Sequence, residues 1–186
     1  NTAVGSVALS TNSIGSSNTA VGSNAMRANT TGGHNTVTGK SAMALNTTGN
    51  NNTAIGVVAM AHNTTGTSNT AIGTSALGSN TTGGYNTALG ENALYNSTIG
   101  LGNTAIGFQA GINLASGDGN ILINHGGVAT ESTTLRIGNV TRAFVAGIRG
   151  VTPAQASLQP VVIDSDGQLG TLAAFPAPTI DNVTNL

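Results

Sequence analysis

The chain has no cysteine and no tryptophan, and only 6% of its 186 residues are charged, against roughly 25% in an ordinary soluble domain. Without cysteine there is no disulfide framework, no thiolate metal site and no cysteine nucleophile, and the redox compartment is left open. Five Lys and Arg against six Asp and Glu, for a net charge of −1, give no electrostatic reason to bind phosphate backbones or anionic lipid, so nucleic acid is not expected as a partner. No apolar run approaches the roughly 20 residues that a membrane-spanning helix needs. There is no starting Met and no charged leader, so Asn1 reads as a processed or excised start. The low net charge, with 38% hydrophobic residues, also argues against disorder.

Charge is scarcest in the first two thirds. Residues 1–117 carry only Arg27, Lys40 and Glu91, and no Asp precedes Asp118. Paired carboxylates for glycoside hydrolysis cannot be assembled there, and the calcium-binding Gly-Gly-x-Gly-x-Asp nonapeptide is missing. Asp164 and Asp166 flank an Asp-Gly turn and read as turn formers. His34, His62 and His125 fall at unrelated positions and are expected at the solvated surface. The chain is therefore expected to be no enzyme and to carry no cofactor or metal.

What is present is a repeat. Asn-Thr begins a unit at Asn1, Asn18, Asn35, Asn52, Asn69, Asn86 and Asn103, every step being 17 residues. Numbering the places of the unit from one to 17, Asn fills place one, Thr place two, Gly place five, Ala place eight and Gly place fifteen in all seven units. Place four is aliphatic except at Thr38, and place nine runs Leu9, Met26, Met43, Met60, Leu77, Leu94, Gly111. A unit this short, rich in Asn, Thr and Gly, opposes a helical pair. Two apolar clusters closed by turn residues predict two strands per unit and make each unit one coil of a β-solenoid. Stacked coils turn identical columns into ladders, so Asn18, Asn35, Asn52, Asn69, Asn86 and Asn103 are expected to stack their side-chain amides. Glycines supply the turns.

Neighbouring strand residues face opposite ways, so apolar pairs at places three and four and at eight and nine predict strands dry on both faces. One face fills the coil. The other forms an apolar stripe, which marks an interface, and copies of the chain packed side by side about the rod axis are the simplest closure. Places six, seven, ten, eleven, sixteen and seventeen vary freely and are expected to face solvent. Among them Arg27, His34, Tyr85, Tyr95 and Phe108 are the candidate surface contacts. Asn-x-Thr acceptors at Asn29, Asn46, Asn63, Asn80, Asn96, Asn139 and Asn182 are read mainly as turn chemistry, because the first four stack too closely to carry glycans.

The units Asn-Thr-Ala-Ile-Gly-x-x-Ala-Leu-x-x-Asn-Thr-Thr-Gly, as in Asn69 to Gly83, resemble the head repeats of trimeric autotransporter adhesins and related repeats of phage-type tail fibres. The resemblance covers residues 1–119 and implies a parallel β-roll of three chains, used as a rod and attachment head outside the cell. The stretch Gly119 to Gly138, with Thr141 to Gly150 and Gln168 to Thr171, resembles the segment preceding the intramolecular chaperone of endosialidase-type fibre proteins. Residues 172–186 do not continue into such a chaperone.

Beyond the repeat the pattern remains β. Ile121 and Ile123 alternate, as do Leu135 and Ile137, and Phe144, Ala146 and Ile148. Val161-Val-Ile, Asp-Gly and Gln168-Leu predict a hairpin. Glu131, Arg136, Asp118 and Arg142 suggest a cap on the solenoid end. The expected organisation is a β-roll at 1–119, a β-rich neck or cap at 120–175 and an extended tail at 176–186. The expected function is a structural and adhesive segment of an extracellular or virion-like homotrimeric fibre, its partners being itself and a host-surface or matrix receptor. End-to-end polymerisation into a filament, or ice binding through the Thr rows at places two, thirteen and fourteen, are the alternatives.

Overall fold

The computed structural model describes residues 1–138 and the strand pair at 161–163 and 169–171. The alternation at Phe144 to Ile148, the Asp164 to Gly167 turn, Arg142, the acceptors Asn139 and Asn182 and the tail at 176–186 lie outside the described residues.

The first 138 residues form a parallel β-solenoid with one short strand per coil, and the described residues contain no helix. The strands are β1 (Thr2–Val4), β2 (Thr19–Val21), β3 (Thr36–Thr38), β4 (Thr53–Ile55), β5 (Thr70–Ile72), β6 (Thr87–Leu89), β7 (Thr104–Ile106), β8 (Ile121–Ile123) and β9 (Leu135–Ile137). They stack in chain order into a single nine-stranded sheet. Each residue pairs with its equivalent one coil on, as Thr53 with Thr70 and Ile55 with Ile72. At about 4.8 Å per strand, eight steps make a face of roughly 38 Å. The middle residue of each strand points inward: Ala20, Val37, Ala54, Ala71, Ala88, Ala105 and Leu122 are fully buried. Slipping one residue would expose this column and bury the Thr of place two, so the hydrophobic pattern fixes the register.

The second predicted strand is not a strand. Places seven and nine both adopt positive φ, 59° at Asn24 and 48° at Met26 in the second coil, 52° at Val58 and 51° at Met60 in the fourth. With every other residue left-handed, the segment turns continuously and loses the alternation of a strand. Ala and its neighbour at place nine therefore both point inward, and Ala25, Met26, Ala59 and Met60 are each 0% exposed. A left-handed Met or Leu costs about 1–2 kcal/mol, which burial of the same side chain offsets by about 1.5–3 kcal/mol. Coil-to-coil hydrogen bonds hold the turn in place: Met26 N–H donates to Ala42 O (3.0 Å) and Met43 N–H to Ala59 O (2.9 Å). The expectation of two dry faces on two strands is thus corrected. Apolar places eight and nine serve the inside alone, and among the described residues the repeated apolar row that the strands turn outward is place four.

The asparagine ladder at place one is present in every coil. Asn35 Oδ1 accepts from the backbone N–H of Asn52 (2.9 Å) and from its Nδ2 (3.2 Å), while Asn52 Nδ2 also donates to Gly66 O within its own coil (2.9 Å). The same arrangement links Asn18, Asn35, Asn69 and Asn86. Asn103 keeps the backbone bond to Asn86 Oδ1 (2.9 Å) and passes the ladder to Asn120 (2.9 Å). A second ladder, which the sequence reading treats as turn chemistry, runs beside it at place twelve. Asn46 Nδ2 donates to Asn29 Oδ1 (2.7 Å), Asn63 Nδ2 to Asn46 Oδ1 (2.8 Å) and Asn80 Nδ2 to Asn63 Oδ1 (2.8 Å). Both ladders converge on the carbonyl of the place-fifteen glycine, as Asn18 and Asn29 do on Gly32 O (2.7 and 2.9 Å).

The coils nearly touch at their glycines. At place five the requirement is conformational as well as steric, since Gly56 has φ +141°, its equivalents are alike, and a Cβ there would run into the Gly73 backbone. At place fifteen it is proximity: a Cβ on Gly83 would lie 2.5 Å from Gly100 O.

The sheet runs past residue 119, where the sequence reading ends the β-roll. The step from β8 to β9 pairs Ile121 with Leu135 and Ile123 with Ile137, so the eighth coil is 14 residues long in place of 17. The inward column of the strands ends on a charge at Arg136, whose Nε meets Glu131 Oε2 at 2.6 Å. Glu131 Oε1 accepts Val128 N–H (2.9 Å), so the carboxylate is held from both sides at the end of the core. Asp118, grouped with these residues in the sequence, does something else: its Oδ1 accepts Leu101 N–H (2.7 Å). The chain divides into two compact units, Asn1–Thr141 and Arg142–Leu186. In the second, β10 (Val161–Ile163) and β11 (Leu169–Thr171) pair antiparallel, Val162 opposite Gly170, as the hairpin pattern predicts.

Candidate functional site

The solenoid turns two kinds of surface outward. On the sheet, places two and four alternate with the buried centre, so Thr and an aliphatic residue stand side by side on each strand. Val4 is 56% exposed, Ile55 40%, Ile72 36%, Leu89 44% and Ile106 39%, while Val21 and Ile123 are half-buried. β3 alone carries Thr at both outward places, Thr36 and Thr38. At the far end Thr gives way to Ile121 and Leu135, so β8 and β9 present only aliphatic side chains outward. A row of side chains this long on one flat face is more than the scattered apolar residues of an ordinary surface.

The other surface is made by the turns. Place six is exposed in every unit, from Ser6 to Phe108, and place seventeen projects from a left-handed residue in most coils, including His34 (φ 58°) and Tyr85 (φ 59°). Of the variable places expected to face solvent, ten and sixteen are mixed, because Ala44, Gly78, Gly33 and Gly84 are buried. The candidate contacts are all exposed: Arg27 and Tyr95 at place ten, His34 and Tyr85 at place seventeen, Phe108 at place six. They occupy the second, fifth, sixth and seventh coils and do not converge on one spot. Tyr95 is covered on one side, its ring lying over Gly78, where a Cβ would come within 2.8 Å of Cε2.

Phe108 lines a cavity. A groove of about 330 Å³ lies between the seventh and eighth coils, bounded by Phe108, Gln109, Ile112, Asn124, His125 and Gly126. It arises where the eighth coil is shortened. Asn124 N–H donates to Ile106 O (2.8 Å), the bond that place-five glycines make in earlier coils, and His125 O already accepts from Gly111 N–H (2.8 Å), the role of place eight. Asn113 N–H then donates to Gly126 O (2.8 Å), the bond that place eleven makes to place ten in earlier coils, so places six, seven and nine have no counterpart and a recess is left beside Phe108 and Gln109. Sequence reading missed this groove, although the change of spacing from Asn103–Asn120 to Ile121–Leu135 was its signal.

The histidines differ from the uniform solvated group expected of them. His34 is exposed, and His62 is exposed but donates from Nδ1 to Gly78 O (2.8 Å). His125 is half-buried, and its Nδ1 accepts Gly127 N–H (2.9 Å). Among the described residues no three His, Asp or Glu side chains gather as a metal ion would require. Asn29, Asn46, Asn63 and Asn80 are 0% exposed within the place-twelve ladder, which bars a glycan from them. Asn96 is exposed, and its Nδ2 donates to Ile112 O (2.8 Å). Compared with known proteins, the chain matches no family model, no curated sequence and no solved structure.

Proposed function

We propose that this chain is the rod segment of an extracellular homotrimeric fibre that serves structure and attachment rather than catalysis. The observation that supports it is the outward row at place four. Aliphatic side chains run from Val4 to Ile137 along one parallel sheet, interrupted at Thr38, and six of them, Val4, Ile55, Ile72, Leu89, Ile106 and Ile137, stand exposed, flanked as far as β7 by a row of Thr that is neither charged nor bulky. Three sheets facing one axis would remove that row from water, and copies related by a rotation along the rod keep identical coils level with one another. The uniform coil height and the absence of charge on the outward face of the sheet suit close side-by-side packing. The ladders inside suit a part that must carry load along its length.

Ice binding has less support. The hydroxyls of place thirteen are spent within the rod, Thr30, Thr47 and Thr64 Oγ1 each donating to the equivalent carbonyl one coil on at 3.0 Å. Except at β3, which carries Thr at both outward places, the outward sheet from β1 to β7 pairs each Thr with Val, Ile or Leu.

Light scattering and sedimentation equilibrium of the full chain test the proposal. The expected mass is three times 18.2 kDa. Replacing Ile72 and Ile106 by Asp places charge on the outward row without touching the core, and is expected to yield monomers with an unchanged far-UV spectrum. A wild-type chain that is monomeric and fully folded at micromolar concentration overturns the proposal.

A further inference from the structure

We infer that the step between the seventh and eighth coils is a binding site for a neutral pyranose ring. Shortening the eighth coil opens a recess at one level of an otherwise uniform rod, so the groove is a built feature and not a repeated one. Its volume of about 330 Å³ falls at the small end of ligand clefts, about 300–1,000 Å³. Phe108 is 61% exposed at its rim, in a chain with three Phe and two Tyr, and its counterparts at place six are Ser6, Ser23, Lys40, Val57, Thr74 and Glu91. Gly107, with φ +119°, turns the chain between the sheet and Phe108, which separates the groove from the strand residues at place four.

The chemistry of the lining selects the ligand. The six lining residues include no Lys, Arg, Asp or Glu, so the groove offers no permanent charge to match a phosphate or a cation. An aromatic face, negative at its centre, attracts polarised C–H groups, and Ile112 extends the apolar floor. Around them stand a carboxamide at Gln109 and the imidazole of His125. Because His125 Nδ1 accepts Gly127 N–H (2.9 Å), the neutral ring carries its proton on Nε2 and keeps one donor for a ligand. The ring is also confined by the backbone at Gly138, where a Cβ would come within 3.0 Å of Cδ2. An apolar face edged by a few fixed donors and acceptors complements a sugar ring, with C–H groups on one side and hydroxyls around its rim.

The inference rests on the attachment half of the proposed function and is independent of the number of chains. Saturation-transfer NMR on the full chain, using the methyl pyranosides of glucose, galactose, mannose and N-acetylglucosamine, tests it. At least one is expected to show saturable binding, weakened tenfold or more in Phe108→Ala and reduced in Gln109→Ala. Val57→Ala, at the equivalent place of the fourth coil, is expected to leave it unchanged. Binding absent for all four sugars, or indifferent to Phe108→Ala in a variant with wild-type circular dichroism, overturns the inference. Light scattering on the same samples reports separately on assembly: a trimer that binds no sugar removes this site and leaves the rod, and a monomer that binds removes the rod and leaves this site.

Discussion

Two columns of asparagine run through the same coils, and they differ in what depends on them. At place one, each carboxamide oxygen accepts the backbone N–H of the next coil, unbroken from Asn1 to Asn120 and on to Thr134 N–H (3.0 Å). At place twelve, the oxygen accepts only a neighbouring side chain, and the column changes from Asn80 to Ser97 and then Leu114. Removing the first kind of asparagine strands a buried backbone donor, which folded proteins almost never tolerate. Removing the second strands side-chain groups alone, and a hydrocarbon can replace the pair at little cost. A column is thus held to Asn where the main chain relies on it and is free to drift where it does not.

Three tests bear on that difference, and the largest effect belongs to the point where the columns meet. Gly83 O accepts from Asn69 Nδ2 (2.8 Å) and from Asn80 Nδ2 (3.1 Å), with Gly100 O 2.5 Å from where a Cβ would stand. Gly83→Ala must push two coils apart and disturb both ladders, so a loss of about 5 kcal/mol or failure to fold is expected, read from the urea midpoint. A loss under about 1 kcal/mol would mean that the coils separate freely and that the shared carbonyl holds little.

The second test sets the columns directly against each other. Asn52→Ala removes four hydrogen bonds and leaves Asn69 N–H buried without an acceptor, for an expected cost of about 4 kcal/mol. Asn46→Ala removes three, leaving Gly49 O its bond from Asn35 and Asn63 its bond to Gly66 O, for about 2 kcal/mol. Equal costs in matched urea titrations would erase the distinction between a backbone ladder and a side-chain ladder.

Much of this architecture was legible because a solenoid writes each interior position many times over. The 17-residue period gave the coil, the constant Asn gave the first ladder, and Val161 to Leu169 gave the antiparallel pair. The second strand was misread because adjacent apolar residues such as Ala59 and Met60 look alike whether extended or turning. Only backbone hand separates the two, and a Leu or Met with positive φ is rare enough that no propensity announces it. The place-twelve ladder was visible as a column but was assigned to turns, since Asn-Thr-Thr-Gly satisfies local turn chemistry equally well. The groove at Phe108 escaped because it is made by residues that are missing: His125 and Gln109 face one another's coils only once three places have been deleted from the eighth. Phe108 itself was identified as an exposed aromatic, but its neighbours depend on register that the broken period conceals.

The smallest expected effect lies where the second column changes character. Asn80 Oδ1 and Ser97 Oγ are both buried without a hydrogen-bond partner. The serine hydroxyl stands where the five preceding coils place a carboxamide, and it is too short to reach the oxygen of Asn80. In Ser97→Asn the new Nδ2 donates to Asn80 Oδ1 and to Gly100 O, repeating the pattern of Asn80 with Asn63 and Gly83. The new Oδ1 then faces Leu114 and finds no donor, so one unpartnered group remains where there were two. The balance is about one hydrogen bond, a gain of about 1 kcal/mol, which in a domain of this size raises the thermal midpoint by roughly 2–4 °C. Ser97→Leu supplies the control, since it extends the apolar end of the column but leaves Asn80 Oδ1 unpaired, and it is expected to gain less. Should Ser97→Leu stabilise as much as Ser97→Asn, packing rather than hydrogen bonding would govern place twelve, and the side-chain ladder would be a consequence of the fold rather than one of its supports.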